Sequence, residues 1–167
     1  YVMIVLGLTM GMQPIVGYNF GAQKIDRVKQ TLRLGIISGV VITSSGFVIC
    51  EFFPHAVSAL FTDSDELIDL AVGGIRLTVL MFPFVGAQIV IGNFFQSIGK
   101  AKVSIFLSLT RQLLYLLPCL LLFPNWWGLE GIWISMPVSD ALAFITAVVS
   151  LMIYIKKVSK QHPVVAE

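Results

Sequence analysis

Residues 34–53 read LGIISGVVITSSGFVICEFF, twenty consecutive positions with a single charge, Glu51. As a helix rising about 1.5 Å per residue, such a run crosses the ~30 Å hydrocarbon core of a bilayer. Its flanks differ in charge. On the N-terminal side, 24–33 (KIDRVKQTLR) carries Lys24, Arg27, Lys29 and Arg33. On the C-terminal side Asp63, Asp65, Glu66 and Asp69 follow, with no Lys or Arg between Pro54 and Asp69. Because Lys and Arg accumulate on the cytoplasmic side of membrane helices, this run is expected to lead from inside to outside.

Four further apolar stretches follow the same logic: 1–19, 70–95, 103–123 and 131–155, of 19, 26, 21 and 25 residues. None shows the alternation of a lipid-exposed barrel strand, so helices are expected throughout. The connection 96–102 holds Lys100 and Lys102, 124–130 holds no basic residue, and the end 156–167 holds Lys156, Lys157 and Lys160. Nine of the 11 basic residues thereby fall on alternate connections. The expectation is an all-α polytopic bundle of five spans over 1–155, with 156–167 as a cytoplasmic tail. With Cys50 and Cys119 removed, a cysteine at Ser64 should be labelled from outside by an impermeant thiol reagent and one at Ser159 should not. The reverse pattern would overturn this orientation.

Composition agrees with a membrane protein. Of the 167 residues 57% are hydrophobic and 12% charged, against about 25% charged in a soluble domain. This excludes a soluble enzyme domain, a disordered tail and a disulfide scaffold. Cys50 and Cys119 sit inside apolar runs and read as small hydrophobes. The chain enters in mid-run at Tyr1 without an initiator methionine or a basic leader, as expected for a piece of a larger protein. There is no HExxH, Walker loop, GxSxG or His/Cys cluster, and the only histidines are His55 and His162. Neither an enzyme, a metal site nor nucleic-acid binding is expected, and no potassium-channel filter is present.

Smaller signals refine the picture. Asp63 reads as a helix N-cap with Glu66 reaching back to it, in preference to a calcium loop, which would need spaced oxygen ligands and a central glycine. Trp126, Trp127 and Trp133 suit an interfacial aromatic belt. Gly7/Gly11 and Gly35/Gly39, the latter pair extended by Ser38, Ser44, Ser45 and Gly46, suit close helix packing. Pro14, Pro83, Pro118 and Pro137 lie inside spans, where they favour kinks or broken helices lining a cavity.

Polar groups within the spans are Gln13, Gln88, Asn93, Gln96, Arg76, Arg111, Gln112 and Asp140. Such groups normally face a bundle interior or a wet cavity. Arg76, roughly 9 Å from the outer boundary at helical rise, is within reach of the interface by snorkelling. Arg111 lies roughly 12 Å from the inner end of its span and Asp140 roughly 14 Å from the outer end of its own. The depths match, so the two suit either a structural ion pair or a proton or substrate role.

The segment 11–22 (GMQPIVGYNFGA) followed by the basic stretch, 94–102 (FFQSIGKAK), and 128–133 (GLEGIW) with Pro137 and Asp140 after it together resemble the multidrug and toxic compound extrusion (MATE) transporters. The resemblance implies twelve helices in two lobes, with these five spans as helices eight to twelve and an N-terminal lobe of the same protein as partner. It implies antiport driven by protons or sodium, without a cofactor, expelling amphipathic and often cationic drugs across the cytoplasmic membrane. Gln13, Pro14 and Asn19 on the eighth helix, and Gln88, Asn93 and Gln96 on the tenth, would then face the substrate cavity. Some branches of the family place an acidic cation ligand on the tenth helix. Here 70–95 contains no Asp or Glu, so coupling would rest on the N-terminal lobe or on Asp140. Two other readings stand beside this one: a lipid-linked oligosaccharide flippase with a more basic cavity, and a non-transporting membrane subunit embedded in lipid.

Overall fold

The computed structural model describes residues 1–161, and among them every regular element is helical. In chain order these are α1 (Val2–Gly21), α2 (Ile25–Phe52), α3 (Pro54–Ala59), α4 (Asp65–Val79), α5 (Phe82–Ser97), α6 (Ala101–Leu109), a π-helical turn (Thr110–Leu116), α7 (Leu117–Leu122) and α8 (Pro124–Gln161). Four spans, α1, α2, α6 through α7, and α8, are long and apolar enough to cross a membrane; α4 and α5 make a fifth if joined across their 48° bend. Residues 162–167, including His162, lie outside the described residues.

Several expected loops are helix instead. The basic connection 20–33 narrows to 22–24, with Gln23 at a φ of 58° making the reversal. Its Arg, Lys, Gln and Leu residues are good helix formers, and Val28 and Leu32 are buried, so the packed stripe of α2 extends beyond the apolar run. The acidic connection contains α3, opened by Pro54 at the first helical position, where a missing N–H costs nothing. The aromatic connection is folded into α8, broken at Gly128, whose φ of 53° and ψ of −130° suit only glycine.

The start of α4 also departs from expectation. Its N-cap is Ser64, no side chain caps it, and Thr62 Oγ1 instead accepts from the Ser64 N–H at 3.3 Å. Asp63 and Glu66 therefore form no capping box. The threonine hydroxyl has already satisfied the turn.

The bundle is built around α5, which packs against α1, α2, α6 and α8. Its buried side chains include Val85, Val90, Ile91, Phe94 and Phe95. On α2 the buried positions Val28, Leu32, Gly35, Gly39, Thr43 and Gly46 follow helical spacing, while Leu34, Ile37, Val41 and Val48 are exposed. Within 34–53, large apolar groups thus face outward and small ones inward, the reverse of a soluble helix. Lipid tails are as apolar as the core, so close packing decides which face turns in.

Gly35 and Gly39 mark that contact: a Cβ at Gly39 would lie 3.0 Å from both Gly86 O and Val90 Cγ2 of α5. The hydroxyl of Thr43 lies 2.9 Å from Gly39 O and 3.3 Å from Pro83 O, tying the two helices where α5 begins. Among the described residues nothing lies within 4 Å of a Cβ at Gly7 or Gly11, because α1 turns its bulkier stripe of Val5, Thr9, Met12 and Val16 inward. Trp133 likewise leaves the aromatic belt. It lies against α4, where a Cβ at Gly74 would come 2.7 Å from its Cε2, whereas Trp126 and Trp127 are exposed.

Candidate functional site

One face of α5 carries Gln88, Ile89, Gly92, Asn93 and Gln96, and one face of α6 and the π turn carries Ser104, Leu107, Ser108, Arg111 and Gln112. They line a cleft of about 320 Å³, closed on the third side by Leu6 of α1. The spacing of each set is that of a single helical face. The volume is at the lower end for a small-molecule site.

Two features give the cleft chemistry. The first is its neutral hydrogen-bonding wall. Asn93 Nδ2 donates to Ile89 O at 3.0 Å, holding the amide against its own helix, and Gln88 Oε1 is a buried acceptor with no donor among the described residues. The second is the pair at its back. Arg111 Nε and Nη2 both reach Asp140 Oδ1, at 2.9 and 2.8 Å. The Asp140 side chain is 12% exposed and that of Arg111 34%, the arginine also lining the cleft. An ion pair within the bundle replaces water around both charges. The charge that Arg111 brings to the cleft is thus balanced in place.

The π turn gives the fourth span its local geometry there. Pro118 lacks an N–H and its ring crowds the carbonyl one turn earlier, so the preceding residues widen into i→i+5 bonding. Tyr115 and Thr146 share a hydroxyl bond of 2.8 Å that joins the same turn to α8. Sequence reading did not identify this turn, although Pro118 was its signal, and it passed over Ser104 and Ser108, which share the Arg111 face at i−7 and i−3.

The remaining candidates lie elsewhere. Gln13 is half-buried and Pro14 exposed on α1, and Asn19 is buried near its end, with Nδ2 donating to Ile15 O at 2.8 Å. None of the three lines the cleft, to which α1 contributes Leu6. Arg76 is exposed, its Nε 3.9 Å from Glu51 Oε1 of α2. A pair so open to its surroundings contributes little in water.

The MatE family matches residues 1–121. Among curated relatives, the multidrug export protein MepA of Staphylococcus aureus (strain MSSA476) is 24% identical over 157 residues, 92% of this chain and 33% of MepA. MepA of Staphylococcus haemolyticus (strain JCSC1435) is 22% identical over 84% of the chain. Among solved structures, the MATE multidrug transporter DinF-BH superposes with a TM-score of 0.83 at 38% identity, over 89% of this chain and 33% of that one. An inward-facing MATE family transporter of the MOP superfamily superposes with a TM-score of 0.88 at 19% identity, over 95% and 37%. The chain therefore spans about a third of the length of the relatives it matches. With the family's pattern covering most of its length, this helical bundle belongs to the MatE family.

Proposed function

We propose that this chain is the C-terminal lobe, helices eight to twelve, of a twelve-helix exporter that expels amphipathic and often cationic organic compounds in exchange for inflowing protons or sodium. Its basic end and C-terminus face the cytoplasm. The observation that carries the reading is the cleft: a bundle with apolar outer faces gathers Gln88, Asn93, Gln96 and Ser108 around one space at the Arg111–Asp140 pair. Its charge is balanced, so a cationic guest meets acceptors without net repulsion, and a second lobe closing over it would complete a cavity of the kind used in alternating access.

Similarity to the multidrug transporter DinF-BH and to the multidrug export proteins MepA supports the same substrate class. A flippase for phosphate-linked lipids would need free cations in the cleft, but Arg111 is engaged by Asp140 and Arg76 lies beside Glu51 on other helices. Coupling is assigned to the N-terminal lobe, because Asp140, behind the cleft, is held by Arg111.

Ethidium, a planar aromatic cation that fluoresces on entering cells, serves as the probe. An efflux-deficient bacterium making the full-length protein should accumulate less of it, and collapsing the proton and sodium gradients together should restore accumulation. Cells making residues 1–167 alone should export none, since alternating access needs two lobes. Unchanged accumulation with the full-length protein would overturn the reading, and export by 1–167 alone would replace it with a homodimeric transporter.

A further inference from the structure

A second cavity, of about 400 Å³, opens at the basic end of the bundle between α6 and α8. Its floor is apolar: Phe95, Val103, Phe106, Ile153 and the ring of Tyr154. Phe106 and Ile153 are 53% and 64% exposed, so the slot is open along its length. Three lysines rim it, Lys100, Lys102 and Lys157, brought together from the turn after α5, the start of α6 and the end of α8. The turn is made by Gly99 at a φ of 77°.

Lys100 is held in place, its Nζ 4.5 Å from the centroid of the Tyr154 ring. That ring is braced edge-on by Phe94 and Phe95 at 6.0 and 5.7 Å. The ion pairs found among the described residues involve none of the three lysines.

We propose that this slot binds one anionic phospholipid, with its phosphate among Lys100, Lys102 and Lys157 and an acyl chain along Phe106 and Ile153. Charge and shape select the occupant together. A cationic drug is repelled by the rim, a zwitterionic lipid uses the slot without the charge, and a soluble phosphate uses the charge without the slot. The inference rests on the orientation proposed above, which places these lysines at the cytoplasmic leaflet, where anionic lipids attract basic groups by about a factor of five per residue.

The test uses the full-length transporter in mixed micelles containing equal phosphatidylglycerol and phosphatidylcholine, with retained lipid read by native mass spectrometry. The wild type should keep one phosphatidylglycerol in preference to phosphatidylcholine. The exposed double variant Lys102→Gln/Lys157→Gln should bind it about thirty-fold more weakly, and millimolar glycerol 3-phosphate should not displace it. Equal retention of the two lipids, equal retention by the variant, or displacement by glycerol 3-phosphate would each overturn the proposal. Retention is read without transport, so a failure of ethidium export leaves this result standing, and thiol labelling at Ser64 tests the orientation separately.

Discussion

Full-length protein carrying Asp140→Asn is expected to reach the membrane in much reduced amount and to melt earlier after extraction. Asparagine keeps the size of the side chain and removes its charge, so Arg111 stays in the bundle with its counter-charge gone. Breaking a buried pair by removing one partner costs about 3–5 kcal/mol. Arg111 is 34% exposed toward the cleft, which places the cost near the lower end. Adding Arg111→Gln to Asp140→Asn removes the stranded charge and leaves two amides, so expression and melting should recover most of the way. Western blotting of membranes and a thermal melt of the purified protein read both variants. Normal expression of Asp140→Asn together with lost gradient-driven efflux would show instead that Asp140 carries the coupling proton.

The second large effect is expected at Gly86. There the backbones of α2 and α5 touch: a Cβ added at Gly86 would run into the carbonyl of Gly39 and lie 2.6 Å from Thr43 Oγ1. The obstructing carbonyl is backbone within a helix and cannot swing aside, so the helices must separate and give up the packing that holds them. Gly86→Ala should destabilise by about 1–3 kcal/mol, and Gly86→Leu more. Gly92, on the same helix, supplies the control, because nothing lies within 4 Å of a Cβ there. Gly92→Ala should leave the melting temperature unchanged or raise it, since alanine is favoured over glycine in a helix by about 1 kcal/mol. Identical melting of the two alanine variants would show that the close approach is absent.

What the sequence made legible depended on whether one helix was enough to decide it. Apolar runs of membrane-spanning length impose helices on their own, because backbone groups in hydrocarbon have no other partner. Gln88, Asn93 and Gln96 fell on one wall of the cleft because their spacing on α5 decides that they share a face. Which face of a helix turns inward is a property of its neighbours. Gly7-x-x-x-Gly11 and Gly35-x-x-x-Gly39 read alike, yet among the described residues only the second meets another helix. For the same reason Gln13, Pro14 and Asn19, which the family resemblance placed toward a cavity, do not line this cleft.

Breaks inside spans were half-visible. Pro83 announced a disturbance in 70–95, but not that the chain would end α4 at Val79, restart at Phe82 and bend by 48°. Proline states which hydrogen bond is missing, and tertiary contacts then choose among kink, restart and π turn.

The π turn makes the number of residues between α6 and α7 as consequential as their identity. Relative to an α-helix it stores surplus length, and each residue of an α-helix advances the rotation by about 100°. Deleting one residue from 110–116 would let the surrounding helix close into a regular ladder, and because the turn had absorbed that residue, everything beyond it would keep nearly its present azimuth. What would be lost is the widened turn itself, from which Arg111 and Tyr115 now reach Asp140 and Thr146 of α8. A shorter segment would be the better helix and the poorer wall.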